Sequence, residues 1–136
     1  MKLELLVICD YATFAEGKLS LIGIFDRVAM ASLPGRLITL GIGIRVSLTK
    51  AEAMQVHTFK LRLVSPTGKE LVRAEGTASV MNSTAFLEEE DRMQIGLTLP
   101  GVTLPEIGRH ELEVLVDGKG IGSIPLTVRL LPASPG

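Results

Sequence analysis

Tryptophan is absent from this sequence, and 136 residues carry only one tyrosine and four phenylalanines. So few flat rings leave almost no stacking platform for bases. The 14 basic residues against 15 acidic ones leave no cationic surplus to neutralise phosphates. Nucleic acid is therefore not expected as a partner. A lone cysteine, Cys9, cannot form an intramolecular disulfide, which fits a reducing, cytoplasmic location. It does not read as a lipid acceptor, because the apolar run before it, Leu3 to Ile8, is short and interrupted by Glu4. No stretch approaches the roughly 18 apolar residues that a spanning helix needs, so no membrane role is expected. Amides are scarce, with one Asn and two Gln, as in a heat-loving or GC-rich host. Neither a G-x-S-x-G elbow nor a phosphate loop occurs. "GIGIRV" lacks the third glycine of a dinucleotide fingerprint and lies inside a strand pattern.

What is present is alternation. Ile38, Leu40, Ile42, Ile44, Val46 and Leu48 occupy one parity against Thr39, Gly41, Gly43, Arg45 and Ser47. Phe59, Leu61 and Leu63 repeat the pattern, as do Val72, Ala74, Ala78 and Val80, then Met93, Ile95, Leu97 and Leu99. Residues 100–109, with two prolines and two glycines, read as a ten-residue loop. Leu112, Val114 and Val116 lead into "DGKG", whose Asp-Gly pair suits a tight primed hairpin turn. The return strand turns Ile124, Leu126, Val128 and Leu130 inward. Pro125 on the other parity marks an edge or a strand end, since proline cannot donate to a ladder. Leu3 to Tyr11, apolar on both parities, reads as a central strand. Leu19 to Val28 is the next, its inward set switching from Leu19 and Leu21 to Ile22 and Ile24 around a bulge at Gly23. The one helical segment, around 47–57, has room for a single turn. The expected fold is all-β: one antiparallel two-layer β-sandwich of about eight strands, immunoglobulin-like in pattern and without a disulfide. It spans residues 1–131, with a frayed tail at 132–136. A chain of this length buries roughly two-thirds of its unfolded surface and needs no metal staple.

Candidate chemistry is thin. His57 and His110 each fall on the apolar parity of a strand, outside any metal-ligand spacing, and read as structural. Cys9 shares its parity with Leu5, Val7 and Tyr11 and reads as a small buried hydrophobe. The acidic run Glu88 to Asp91 is the sharpest charge cluster. Hard oxygens from Glu88, Glu89 and Asp91 suit calcium, yet consecutive acids on a strand point to opposite faces, and a solvated gatekeeper is the stronger reading. Gly41 and Gly43 leave a stripe without side chains, read as packing or twist relief before a binding groove. No cofactor is expected.

"CDYATFAEGKLSLIGIFDRV" at 9–28 and "GRHELEVLVDGKGIGSIPLTV" at 108–128 together resemble an uncharacterised bacterial family, a domain of unknown function. The resemblance spans nearly the whole chain and is most specific in the first 28 residues. It implies a fold and a register but no activity. The residues that carry it, Asp10, Tyr11, Gly17, Lys18, Gly23, Asp26 and Arg27, read as structural, with the Asp10 or Asp26 carboxylate capping loop amides. The expected function is a non-catalytic binding or assembly module for an unknown protein partner or for itself as a homo-oligomer, with Leu6, Ile8, Leu71 and Met81 as its apolar face. A calcium or small-ligand domain is the alternative, and an enzyme the remote one.

Overall fold

A computed structural model describes residues 1–78 and 90–132. Among them are nine strands and one short helix: β1 Lys2–Ala15, β2 Lys18–Ile24, β3 Arg27–Met30, β4 Gly35–Thr49, α1 Lys50–Ala53, β5 His57–Val64, β6 Glu70–Ala78, β7 Glu90–Leu104, β8 Gly108–Val116 and β9 Lys119–Leu130. They form two facing sheets, ordered β2-β1-β4-β7 and β3-β9-β8-β5-β6. This is the expected two-layer sandwich. The segment read as one strand, Leu19 to Val28, is two: after Ile24 the chain crosses to the other sheet, where β3 runs parallel to β9. All other pairings are antiparallel.

The core lies between the sheets. Leu40, Ile42, Ile44, Val46 and Leu48 of β4 meet Phe59, Leu61 and Leu63 of β5, Leu112, Val114 and Val116 of β8, and Leu126 and Val128 of β9. β1 lies between β2 and β4, so it is central, as its double-sided apolar content implies. Its inward set changes parity at Glu4, where the register with β4 shifts. Met1 and Leu3 before that bulge, and Leu6 and Ile8 after it, pack on the core.

Several alternations fail for visible reasons. Residues 100–104 continue β7 rather than forming a loop, and the β7–β8 connection shrinks to 105–107. Gly101, at φ +64°, lies opposite Ile38 between the pairs Leu37↔Val102 and Thr39↔Pro100. The inward parity reverses there on both strands, so Val102 and Leu104 are buried while Ile38 is 86% exposed. Leu130 is half exposed because β9 extends beyond its last pairing with β8, Gly108↔Val128. Pro125 falls in the half of β9 that β3 does not reach, since that pairing begins at Thr127. Val80 and, apart from Pro132, the tail at 132–136 lie outside the described residues.

The primed turn and the single helical turn fall where expected, and the structure adds the cap of the latter. The Asp117-Gly118 turn has positive φ at both positions, 52° and 81°. At 49–52 a capping box forms: the Thr49 hydroxyl accepts from the Glu52 amide and the Glu52 carboxylate accepts from the Thr49 amide.

Candidate functional site

The N-terminal hairpin is longer than its sequence suggests. β1 runs to Ala15, and the turn is only Glu16 and Gly17, both at positive φ. That tight turn sets the register Ala15↔Lys18, Thr13↔Ser20 and Tyr11↔Ile22. Beyond Cys9 the hairpin leaves the side of β4 and lies back over the outer face of β4 and β7. Glycines make that approach possible. A Cβ on Gly41 would sit 2.8 Å from Cys9 Sγ, and one on Gly96 would sit 2.7 Å from the Thr13 carbonyl carbon. Leu21 covers Gly43 in the same way. The Thr98 hydroxyl accepts from the Ala12 amide at 2.9 Å and donates to the Ala12 carbonyl at 2.8 Å, while Thr39 Oγ1 donates to the Asp10 carbonyl at 2.6 Å. The glycine stripe is thus filled by the chain's own hairpin.

With Leu19 and Leu21 turned onto the sheet, the other parity of β2 faces outward. Ile22 and Ile24 are each 62% exposed, and Tyr11, opposite Ile22 in the register, is 49% exposed. Tyr11 and Ile22 are cross-strand partners, Ile24 follows the kink at Gly23, and the edge of β2 away from β1 is unpaired among the described residues. Ile24 also borders a cleft of about 450 Å³ floored by Leu6 and Ile8 and walled by Phe25, Ile124 and Pro125. A smaller apolar recess, about 170 Å³, lies between Phe59, Leu61, Ala74, Ile95 and Leu97.

The residues singled out from sequence distribute unevenly. Ile8 is 1% exposed and belongs to the core, while Leu6 and Leu71 are half-buried against it. The apolar surface is instead built by Ile22 and Ile24, which alternation had turned inward. Reading Glu16-Gly17 as a two-residue turn places Tyr11 beside Ile22 and is the signal that finds them. Gly23 is a left-handed kink at φ +70°, not a bulge: the register is unshifted, and the Asp10 carboxylate occupies the space a side chain would need. Neither aspartate caps a loop amide among the described residues. Asp26 Oδ1 accepts from Arg27 Nε at 3.3 Å, and the Asp26 backbone carbonyl accepts from the Thr127 amide. Gly17 and Lys18 serve the hairpin turn. Met81, Glu88 and Glu89 lie outside the described residues, and Asp91 is placed by its backbone alone, opposite Leu48. Among the described residues no group of three or more His, Cys, Asp or Glu is arranged to hold a metal.

The two histidines stand at opposite ends of the antiparallel β5–β8 pair, so they share no site. His57 is 3% exposed. Its Nδ1 lies 2.8 Å from Asp117 Oδ2 and its Nε2 lies 2.7 Å from the Glu52 carbonyl. Both partners are acceptors, and only the protonated ring, with both nitrogens donating, satisfies the two contacts together. The Asp117 hydrogen bond, reinforced by the Glu52 carbonyl against burial, raises the His57 pKa. The same bond, with the Thr58 amide, holds the Asp117 carboxyl below its ordinary value. His110 donates from Nδ1 to the Gly108 carbonyl at 3.1 Å, and its buried Nε2 has no partner among the described residues. Cys9 is fully buried, and burial raises its thiol pKa. Its Sγ donates to the Tyr11 carbonyl.

Comparison with known proteins identifies one family. The pattern of a family of unknown function, DUF6941, matches residues 4–129. No curated protein matches the chain. Among solved structures, a glycosyl hydrolase family 2 member from Bacteroides cellulosilyticus DSM 14838 is similar over 74% of this chain and 13% of its own, at 16% identity and a TM-score of 0.44. The alkylpurine DNA glycosylase AlkC of Pseudomonas fluorescens, bound to DNA containing an abasic site analog, is similar over 94% of this chain and 30% of its own, at 15% identity and a TM-score of 0.40. This chain therefore spans less than a third of either, and likenesses of that grade carry no functional argument.

Proposed function

This chain belongs to the DUF6941 family, and on that premise we propose that it is a non-catalytic β-sandwich module that recognises a protein surface through the outer face of the β1–β2 hairpin. The observation that carries the reading is the clustering of Tyr11, Ile22 and Ile24, each about half exposed or more, on the solvent side of one hairpin. Large apolar side chains scattered singly need no explanation, but three exposed within one hairpin at a sheet edge mark a contact surface. The non-catalytic part is supported by where the reactive groups lie. The one thiol is buried, and the two imidazoles are buried at opposite ends of a strand pair. Near-neutral charge supports a protein partner over nucleic acid, and the lone buried Cys9 supports a reducing cytoplasm.

The test is a photo-crosslinking residue placed at Tyr11 and, as a control, at exposed Thr58 on the opposite sheet, in living cells. Adducts are expected from position 11 and not from 58, and Ile22→Asp should abolish them. Position 11 giving no adduct, or adducts indifferent to Ile22→Asp, would overturn the reading.

A further inference from the structure

We propose that His57 is a pH-operated latch whose Nε2 proton fastens the end of α1 to the β8–β9 turn at one end of the sandwich. The ring is buried between two acceptors that belong to different elements. Nδ1 lies 2.8 Å from Asp117 Oδ2 in the turn, Nε2 lies 2.7 Å from the Glu52 carbonyl in α1, and the ring is 3% exposed. Neither acceptor can supply a hydrogen, so each short contact needs a proton on the ring. A neutral imidazole carries only one, and sets its bare nitrogen lone pair against an oxygen lone pair in a buried site. Charge decides which contact survives. A carboxylate is the stronger acceptor, and Asp117 is also anchored by the Thr58 amide, which donates to Oδ1 at 2.9 Å. The neutral ring therefore keeps Nδ1–H on Asp117 and lets go of the Glu52 carbonyl.

The released segment has little burial to hold it. Met54 and Val56 are 64% and 57% exposed, and the Gln55 amide donates to the same Glu52 carbonyl at 3.1 Å. The start of α1 is fastened separately, by the Thr49 cap and by the ion pair of the Met1 amine with the Glu52 carboxylate at 2.9 Å. The latch therefore acts on residues 54–56. Among the described residues the charged groups acting on the ring are Asp117 and Glu52. Lys50 of α1 and Lys119 of β9 are exposed, and the partner of His57 on β6 is Ala78. The Asp117 hydrogen bond favours the protonated ring, so the latch is closed below pH 6.5 and opens as pH rises through the folded value. Glu52 and Asp117 both border a cleft of about 600 Å³, together with Met1, Lys2 and Lys119. Opening the latch loosens one wall of that cleft, which makes its shape depend on pH.

Amide hydrogen exchange read by NMR on the full chain, from about pH 5 to about pH 9 and corrected for intrinsic base catalysis, tests the latch. Protection at Met54 and Gln55 should fall about tenfold through the window, as expected for the loss of one hydrogen bond, while Thr58 and Asp117 stay protected. Ring nitrogen shifts should show both nitrogens of His57 protonated at low pH and Nδ1–H alone at high pH. His57→Gln should lose the step at Met54 and Gln55. It keeps the Met1–Glu52 ion pair, so the difference between the two proteins isolates the ring. Asp117→Asn removes the anionic partner and should move the step to lower pH. Asparagine accepts the positive φ of 52° at that position, so this variant reads the coupling even if His57→Gln does not fold. A flat profile at Met54 and Gln55 in wild type, or a neutral ring protonated at Nε2, overturns the proposal. So does a step that survives in His57→Gln, or one that Asp117→Asn leaves where it was.

Discussion

Replacing Gly96 by alanine probes whether the hairpin lies on a track that tolerates no side chain. The new Cβ would stand 2.7 Å from the Thr13 carbonyl carbon and 2.9 Å from both the Thr13 oxygen and Leu19 Cδ1. Two of these three atoms are backbone, so the clash cannot be relieved by a rotamer change. The hairpin must lift, and the paired hydrogen bonds between Ala12 and Thr98 lengthen with it. Overpacking of this kind costs about 1–3 kcal/mol. Each weakened hydrogen bond adds up to about 1 kcal/mol, and the stiffer unfolded chain returns about 0.5–1 kcal/mol. The net expectation is a loss of about 2–4 kcal/mol, or a Tm lower by roughly 6–14 °C for a chain of this size. Urea unfolding with a shared m-value, supported by thermal melts, measures it. Gly76→Ala is the control: its Cβ meets nothing within 4 Å, so it should be neutral or slightly stabilising. If Gly96→Ala stays within about 0.5 kcal/mol of wild type while remaining folded, the hairpin is not seated on Gly96 and the outer layer described above is wrong.

Three further outcomes follow from the same geometry. The His57 pKa is raised above 6.5 in the folded state, so its contribution is complete below pH 6.5 and is lost as pH rises through the folded value; urea midpoints should fall across that window in wild type and stay level in His57→Gln. At acid pH the sign reverses. Glu70, held low by Arg73 and Arg62, and Asp117, held low by His57, contribute above their ordinary values of 4.5 and 3.8. That support is lost as they protonate, and Glu70→Gln should flatten the acid limb of the stability curve. Cys9, fully buried, should react with an iodoacetamide probe more than about a hundredfold slower in native than in urea-unfolded protein, and equal rates would reopen a reactive-thiol reading.

Much of the fold is legible in the linear sequence because side-chain alternation is a local consequence of the pleat. β4 from Leu40 to Leu48, β5, β8 and the Asp117-Gly118 turn could be placed from residue type alone, as could a single helical turn within 47–57; its cap by Thr49 and Glu52 came from the structure. Alternation goes wrong where one residue changes the phase. The Glu4 bulge sends Leu6 and Ile8 inward, Gly101 turns Ile38 out, and the crossing after Ile24 hands one apparent strand to two sheets. None of these leaves a compositional mark, because a phase change costs no residue of special type beyond a glycine or an exposed glutamate.

The apolar face was hidden for a related reason. Residues 19–24 are apolar on both parities, and the strand pattern does not say which side meets the sheet. That choice falls to Gly41, Gly43 and Gly96, which lie far along the chain and only in the folded molecule form a track for the hairpin. Once Leu19 and Leu21 are committed to that track, Ile22 and Ile24 must face solvent. The sequence by itself thus determined the strands, the tight turns and the closed two-sheet core, all products of near-neighbour pattern. Which apolar side chains are buried and which are left exposed was decided only by long-range packing, since burial belongs to a pair of surfaces and is not a property of one strand.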